Sequence, residues 1–257
     1  MQFISCHDGK LQTLAAAGLK TSPERAFVTG LEVLDRLAPG GALARGAVHE
    51  LVFEGRHGRP MFVAAVMARG GMGRKDEGGR MKDEVSSSSF SLHPSALPVI
   101  WSDPRGEIYP PGLARLGFDL SRTYLLRTRS EAEERWAVAE CLRCRGVGAV
   151  VAAAERMSRI EARRLQLAAE RGGSVGILLR PAGRWDSVYA AATRWKVLPC
   201  PGERTIQRWT IQLLHGHGGR VGQSVILEWC RENNSVRAVE KFSRRPAATT
   251  TGARATA

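Results

Sequence analysis

Two hydrophobic rhythms divide this chain. Val147 to Ala153 is a near-continuous apolar run, Val175 to Leu179 is another, and Val48 to Phe53 is strand-like although His49 and Glu50 interrupt it. Runs of this length read as strands buried on both faces of a parallel sheet. Val99-Ile100-Trp101 and Tyr124-Leu125-Leu126 are shorter strands of the same kind. Between them lie helical stretches with recognisable starts. Ser130-x-x-Glu133 opens one that carries Trp136, Ala139 and Leu142 and stops at Gly146, and Ser158-x-x-Glu161 opens another that ends at Gly172-Gly173. In each pair, hydroxyl and carboxylate are placed to satisfy orphan backbone donors at a helix start. Regular alternation of strand and helix predicts an α/β fold with a mostly parallel sheet and helices on both faces.

The C-terminal third changes rhythm. Trp209, Ile211 and Leu213 alternate with Arg208, Thr210 and Gln212, then Gly216-His217-Gly218-Gly219 turns the chain and Val225, Leu227 and Trp229 repeat the alternation. After Asn233-Asn234, residues 235–239 give a third strand. Period two with one wet face predicts an antiparallel β meander attached to the parallel core. Upstream, Leu11 to Ala17 predicts a helix closed by Gly18 and Thr21-Ser22-Pro23. Thr29-x-x-Glu32 reads as a further capping box, and Pro60 suits the first position of an apolar helix over 61–69. Gly70 to Ser89 is rich in Gly, Ser and charge and reads as a flexible insertion. The expected organisation is an N-terminal helix and linker (1–25), a core (26–200, with the insertion at 71–97), a C-terminal β extension (201–242) and a disordered basic tail (243–257).

Composition narrows the class. The 38 Lys+Arg against 25 Asp+Glu give a formal charge of +13 over 257 residues, which favours polyanionic partners or simply reflects arginine-rich codon usage. Five scattered cysteines imply reduced thiols and a cytoplasmic setting. No run approaches the roughly 18 apolar residues of a membrane span, and the start lacks the pattern of a secretory leader. Cys141-Leu142-Arg143-Cys144 has CxxC spacing but falls inside a helix with no second pair, and His215-Gly216-His217 sits in a hairpin turn, so no metal site is expected.

Candidate chemistry centres on residues 29–60. Thr29-Gly30-Leu31-Glu32-Val33-Leu34-Asp35, Pro39-Gly40-Gly41 and the strand Val48-His49-Glu50-Leu51-Val52-Phe53 resemble the opening of the RecA/RadA recombinases. In that group the strand runs into a GxxxxGK[ST] loop whose amides, lysine and hydroxyl hold phosphate and magnesium. Laid on without a gap, the loop here is Phe53-Glu54-Gly55-Arg56-His57-Gly58-Arg59-Pro60. Only Gly58 matches; Phe53 takes the place of the first glycine, Arg59 of the lysine and Pro60 of the hydroxyl. The strand 147–154 ends in alanine where the metal-binding aspartate of the group would stand, with Glu155 just beyond. Arg105 falls at the water-orienting glutamate, flanked by Asp103 and Glu107.

Three more segments sharpen the resemblance: Trp101 to Asp119, ending in Ala114-Arg115-Leu116-Gly117-Phe118-Asp119; Arg163 to Arg171 ahead of Gly176 to Pro181; and the meander from Arg208 to Trp229. Over residues 26–240 the chain resembles the ImuA family, RecA-like accessory proteins of bacterial inducible mutagenesis, sometimes labelled SulA-like. The resemblance implies a RecA-like P-loop NTPase-type core and a partnership with ImuB, an inactive relative of the Y-family polymerases. It further implies an error-prone polymerase and action in SOS translesion synthesis, with RecA and DNA as further candidate partners. With three losses in the nucleotide site, the expectation is a non-catalytic adaptor with no cofactor and no bound ATP; Gly58 and Arg59 mark only a vestigial phosphate position. A DNA-dependent ATPase forming recombinase-like filaments and a SulA-like inhibitor of cell division are the alternatives. Candidate contacts with nucleic acid or a partner are Arg159, Arg163, Arg164, Trp185 and Trp195, where cations mix with indoles.

Overall fold

The structure, a computed structural model, describes residues 4–7, 10–13, 26–54, 59–73, 97–155, 157–183 and 190–239. Its centre is a nine-stranded sheet. In chain order the elements are β1 (Ile4–His7), β2 (Lys10–Thr13), β3 (Ala26–Phe27), α1 (Glu32–Asp35), β4 (Leu43–Ala44), β5 (Ala47–Phe53), α2 (Met61–Gly71) and β6 (Val99–Ser102). There follow α3 (Pro110–Arg115), β7 (Thr123–Leu126), α4 (Glu131–Arg143), β8 (Ala149–Ala153), α5 (Arg159–Gly172) and β9 (Val175–Pro181). The last four strands are β10 (Thr193–Cys200), β11 (Ile206–Gly216), β12 (Ser224–Cys230) and β13 (Ser235–Val239). The sheet order is β13-β12-β11-β10-β5-β9-β8-β6-β7. From β10 to β7 every neighbouring pair is parallel, and β10 to β13 pair antiparallel.

The expected α/β class is therefore present, with a mostly parallel sheet and an antiparallel C-terminal set of strands. Every residue of β5 is buried, as a strand covered on both faces requires. One face carries α2 with Leu51, Trp101, Val151, Ile177 and Val197 beneath it, and the other carries α4 and α5 over Val48, Val150 and Leu178. The end of α5 lies directly on the end of α4. A Cβ on Gly172 would sit 2.0 Å from the Leu142 carbonyl oxygen, so only glycine permits that approach. Gly173 then closes the helix at φ 67 in the left-handed region.

Four local expectations are corrected. The helix proposed over 11–17 begins instead as β2, whose Lys10–Thr13 pairs antiparallel with β1. Asp8-Gly9 between them is a dipeptide that favours two-residue hairpins. Residues 14–17 lie outside the described set. Thr29 does not cap with Glu32. Its amide and its hydroxyl both donate to Asp35 Oδ1 at 2.9 Å, because a buried carboxylate six residues on offers a better acceptor than an exposed one. The α4 cap keeps only half its box: Ser130 Oγ accepts from Glu133 N–H, but the Glu133 carboxylate takes the Arg129 amide. The α5 box is complete.

The fourth correction is β10, which sequence alternation did not reveal. It inserts between β5 and β11 and takes Trp195 into the core at 1% exposure. The indole N–H donates to Thr193 Oγ1 at 2.7 Å. That hydroxyl faces His49 Nδ1 at 2.7 Å, and His49 Nε2 faces the Ala44 carbonyl at 2.9 Å. The chain of bonds is satisfied when the imidazole is neutral, protonated on Nε2. Trp195 is thus a core residue and not a contact surface.

Two buried titratable groups act in opposite senses. Burial pushes the Asp35 carboxyl up from 3.8 to about 6, against the pull of the Thr29 and Gly30 bonds. Burial drives His49 down from 6.5 to about 4. A raised carboxyl stabilises the fold below its unfolded pKa and loses that contribution as pH rises through about 6. A lowered imidazole stabilises above 6.5 and loses its contribution as pH falls through about 4. Each amounts to roughly 3 kcal/mol at two units or so of shift. Urea unfolding of the native chain should therefore be nearly level between pH 4 and 6. Asp35→Asn should rise with pH across that window and His49→Gln should fall; slopes of the same sign in both variants contradict the assignment.

Candidate functional site

The carboxyl ends of the parallel strands share one edge of the sheet. From β5 the chain crosses to β6 on one side, and from its neighbour β9 it crosses to β10 on the other. Such a reversal leaves a crevice at the strand ends, the usual ligand position in open α/β sheets. Arg59 follows β5, Asp103, Arg105 and Glu107 follow β6, and Glu155 follows β8.

These side chains meet in one cluster. Arg59 Nη1 lies 3.2 Å from Glu107 Oε2 and its Nη2 lies 2.9 Å from Glu155 Oε1. Arg105 approaches the same carboxylates, 3.9 Å from Glu107 and 3.8 Å from Glu155. Two cations and two anions, none of them deeply buried, cancel each other locally. Exposed pairs of this kind add little stability. Their effect is on the field. The Arg59 guanidinium is already held by two carboxylates, and an incoming phosphate would have to displace them.

Asp103 is committed elsewhere. It is buried, its Oδ1 accepts from the amides of Glu107 (2.7 Å) and Ile108 (3.3 Å), and Arg127 stands 3.8 Å from its Oδ2. It shapes the turn that presents Arg105 and Glu107. No local sequence signal pointed to Arg127.

Beside the cluster a cleft of ≈ 850 Å³ opens, with Arg59, Arg105 and Glu107 on its rim. Its wall is apolar: Phe62 of α2 stacks on Trp209 (4.6 Å between centroids) and on Trp229 (5.3 Å). Trp229 Nε1 donates to Asn234 Oδ1 at 2.9 Å, and Asn234, at φ 52, donates back to the Arg115 carbonyl. The meander is thereby fixed against α2 and α3. Tyr109 stands exposed on the rim.

Of the other candidates, Gly58 and Trp185 lie outside the described residues. Arg159, Arg163 and Arg164 lie on α5; Arg163 is 3.9 Å from Glu170 and Arg164 lines a groove against α4. Glu155 pairs with Arg59, and Glu161 pairs with Arg135 of α4. Cys141 and Cys144 are free thiols, and burial, then Cys144 and Glu140, push the Cys141 thiol up, away from reactivity. Among the described residues no helix is long and apolar enough to cross a membrane.

Fold and site together define an open α/β protein whose crevice is charge-neutralised on its rim and aromatic on its wall. No protein-family model matches the chain. It is 31% identical over 226 residues to Protein ImuA of Caulobacter vibrioides strain NA1000, spanning 80% of this chain and 84% of that protein. Protein ImuA of Caulobacter vibrioides strain ATCC 19089 gives the same identity and coverage. The chain belongs to the ImuA family.

Proposed function

We propose that this protein is a non-catalytic adaptor with a RecA-like core, working in the cytoplasm with ImuB and an error-prone polymerase in damage-inducible translesion synthesis. Membership of the ImuA family supports the setting. The arrangement of Arg59 carries the non-catalytic part of the reading. A phosphoryl-transfer site presents a free cation to the phosphates and a carboxylate to the metal. Here the cation is bound to Glu107 and Glu155, and Pro60 has no hydroxyl to offer a metal. Losing even one preorganised group of this kind typically costs about 10²–10³ in rate.

Purified protein should hydrolyse no ATP above a buffer blank, with or without single-stranded DNA, and Arg59→Lys should not restore turnover. It should bind purified ImuB without nucleotide. DNA-stimulated turnover that disappears in Arg59→Ala would overturn the non-catalytic reading, and failure to bind ImuB would overturn the adaptor.

A further inference from the structure

We infer that the groove between α4 and α5 docks a helical segment of a protein partner, apolar on its contact face and acidic on its flanks. This rests on the adaptor reading, because it supplies the surface through which that adaptor holds a protein. The groove lies on the face of the sheet opposite α2 and encloses ≈ 550 Å³, and it shares Arg135, Met157 and Leu165 with a smaller cleft that reaches Arg59, Arg105 and Glu155. Its floor is small and apolar, with Ala139 of α4 facing Leu165 and Ala168 of α5. At its mouth stands Trp136, 66% exposed, with Leu167 across from it. Ile160, 68% exposed, continues the apolar line one heptad before Leu167. A large indole and two branched side chains left in water along one helix pair mark an interaction site more than a solvated face.

Charge selects the partner. The lining carries Arg135, Arg143, Arg164 and Arg171 against Glu140 and Glu161. Arg135 is 2.8 Å from Glu161, and Arg143 pairs with Glu140. Among the described residues Arg164 and Arg171 close no ion pair, although Arg164 lies near enough to help hold the Glu161 carboxyl below its usual range, after the dominant Ser158 bonds and Arg135. The two arginines are seven residues apart, two turns on α5, which places them about 10 Å apart along the groove. A helix laid beside α4 and α5 meets them with acidic side chains at the same spacing, while its apolar face covers Trp136 and Leu167. Single-stranded nucleic acid fits less well: one indole gives one stacking platform, and two carboxylates in the lining oppose a phosphate backbone.

The test uses the full chain and purified ImuB, with Trp136→Ala, Arg164→Ala/Arg171→Ala and Arg164→Glu/Arg171→Glu compared by titration calorimetry at two salt concentrations. Circular dichroism and thermal unfolding confirm that each variant folds. Wild type should bind; Trp136→Ala and the double alanine should each weaken binding by at least about tenfold, the double glutamate more so, and the double variants should lose most of the salt dependence. If wild type does not bind ImuB, the adaptor reading itself fails and the groove proposal with it. If wild type binds and all three variants bind as well as wild type, the groove proposal alone fails. A third outcome, in which the variants lose oligothymidylate binding but keep ImuB, also overturns it by assigning the groove to nucleic acid.

Discussion

Replacing Glu50 with alanine should remove about 3–5 kcal/mol of stability, the largest effect expected of any single charged residue here. Glu50 lies mid-strand in β5 with its carboxylate inside the sheet-helix layer. Its Oε1 is 3.1 Å from Arg180 Nη1 on β9, and its Oε2 is 3.3 Å from Arg194 Nε on β10. All three side chains are almost completely excluded from water. Parallel register sets the meeting: Glu50 stands opposite Leu178 on one neighbour and Arg194 on the other, with Arg180 one pleat further on the same face. Ion pairs so deeply buried contribute little compared with a hydrophobic packing, since desolvation offsets attraction. Removing one member is different, because guanidinium charge then stays buried with its main counter-charge gone. Glu50→Gln keeps the shape and loses the charge, so it should fall between wild type and alanine. Urea denaturation at pH 7 measures both; a loss below about 1 kcal/mol for the alanine would show that water already reaches these arginines.

The same triad explains what sequence patterning could and could not reveal. Val147 to Ala153 and Val175 to Leu179 were legible as strands because burial on both faces makes the whole run apolar. β10 was not: Arg194 and Lys196 break the pattern, and Arg194 meets a buried counter-charge in Glu50, which lies far earlier in the chain. Trp195 was for that reason placed on a surface. Thr29 fits the spacing of a capping box, yet the acceptor that wins is Asp35, whose burial no local rule encodes. At the site, Arg59 could be singled out from one contiguous stretch of sequence, by its resemblance to a phosphate loop. Its engagement with Glu107 and Glu155 could not, since the three residues follow three different strands and meet only once the sheet order is fixed. Trp136 carried no signal distinguishing it from a core indole; exposure became apparent only when the strands beneath α4 were in place.

Phe62→Ala should cost about 3 kcal/mol, toward the lower end for deletion of a buried aromatic ring. Phe62 projects from α2 onto Trp209 and Trp229, neighbours on β11 and β12, with interplanar angles of 14° and 20°. Offset stacking adds roughly 0.5–1.5 kcal/mol per pair beyond burial. Opposing this, the ring already borders the ≈ 850 Å³ cleft, so the space it vacates joins a volume that water enters instead of leaving a sealed void. Loss of contacts should therefore dominate over the cavity penalty. Both indoles would become wetter, shifting tryptophan emission to the red, whereas Phe62→Leu should retain most of the stability and a smaller spectral shift. Because Trp229 also holds Asn234, and Asn234 the end of α3, the alanine should loosen the cleft wall along its length, and amide exchange at β12 and β13 should accelerate ahead of β5. Unchanged emission together with unchanged exchange in the meander would mean that backbone pairing through β10, rather than this aromatic stack, keeps the C-terminal strands against the core.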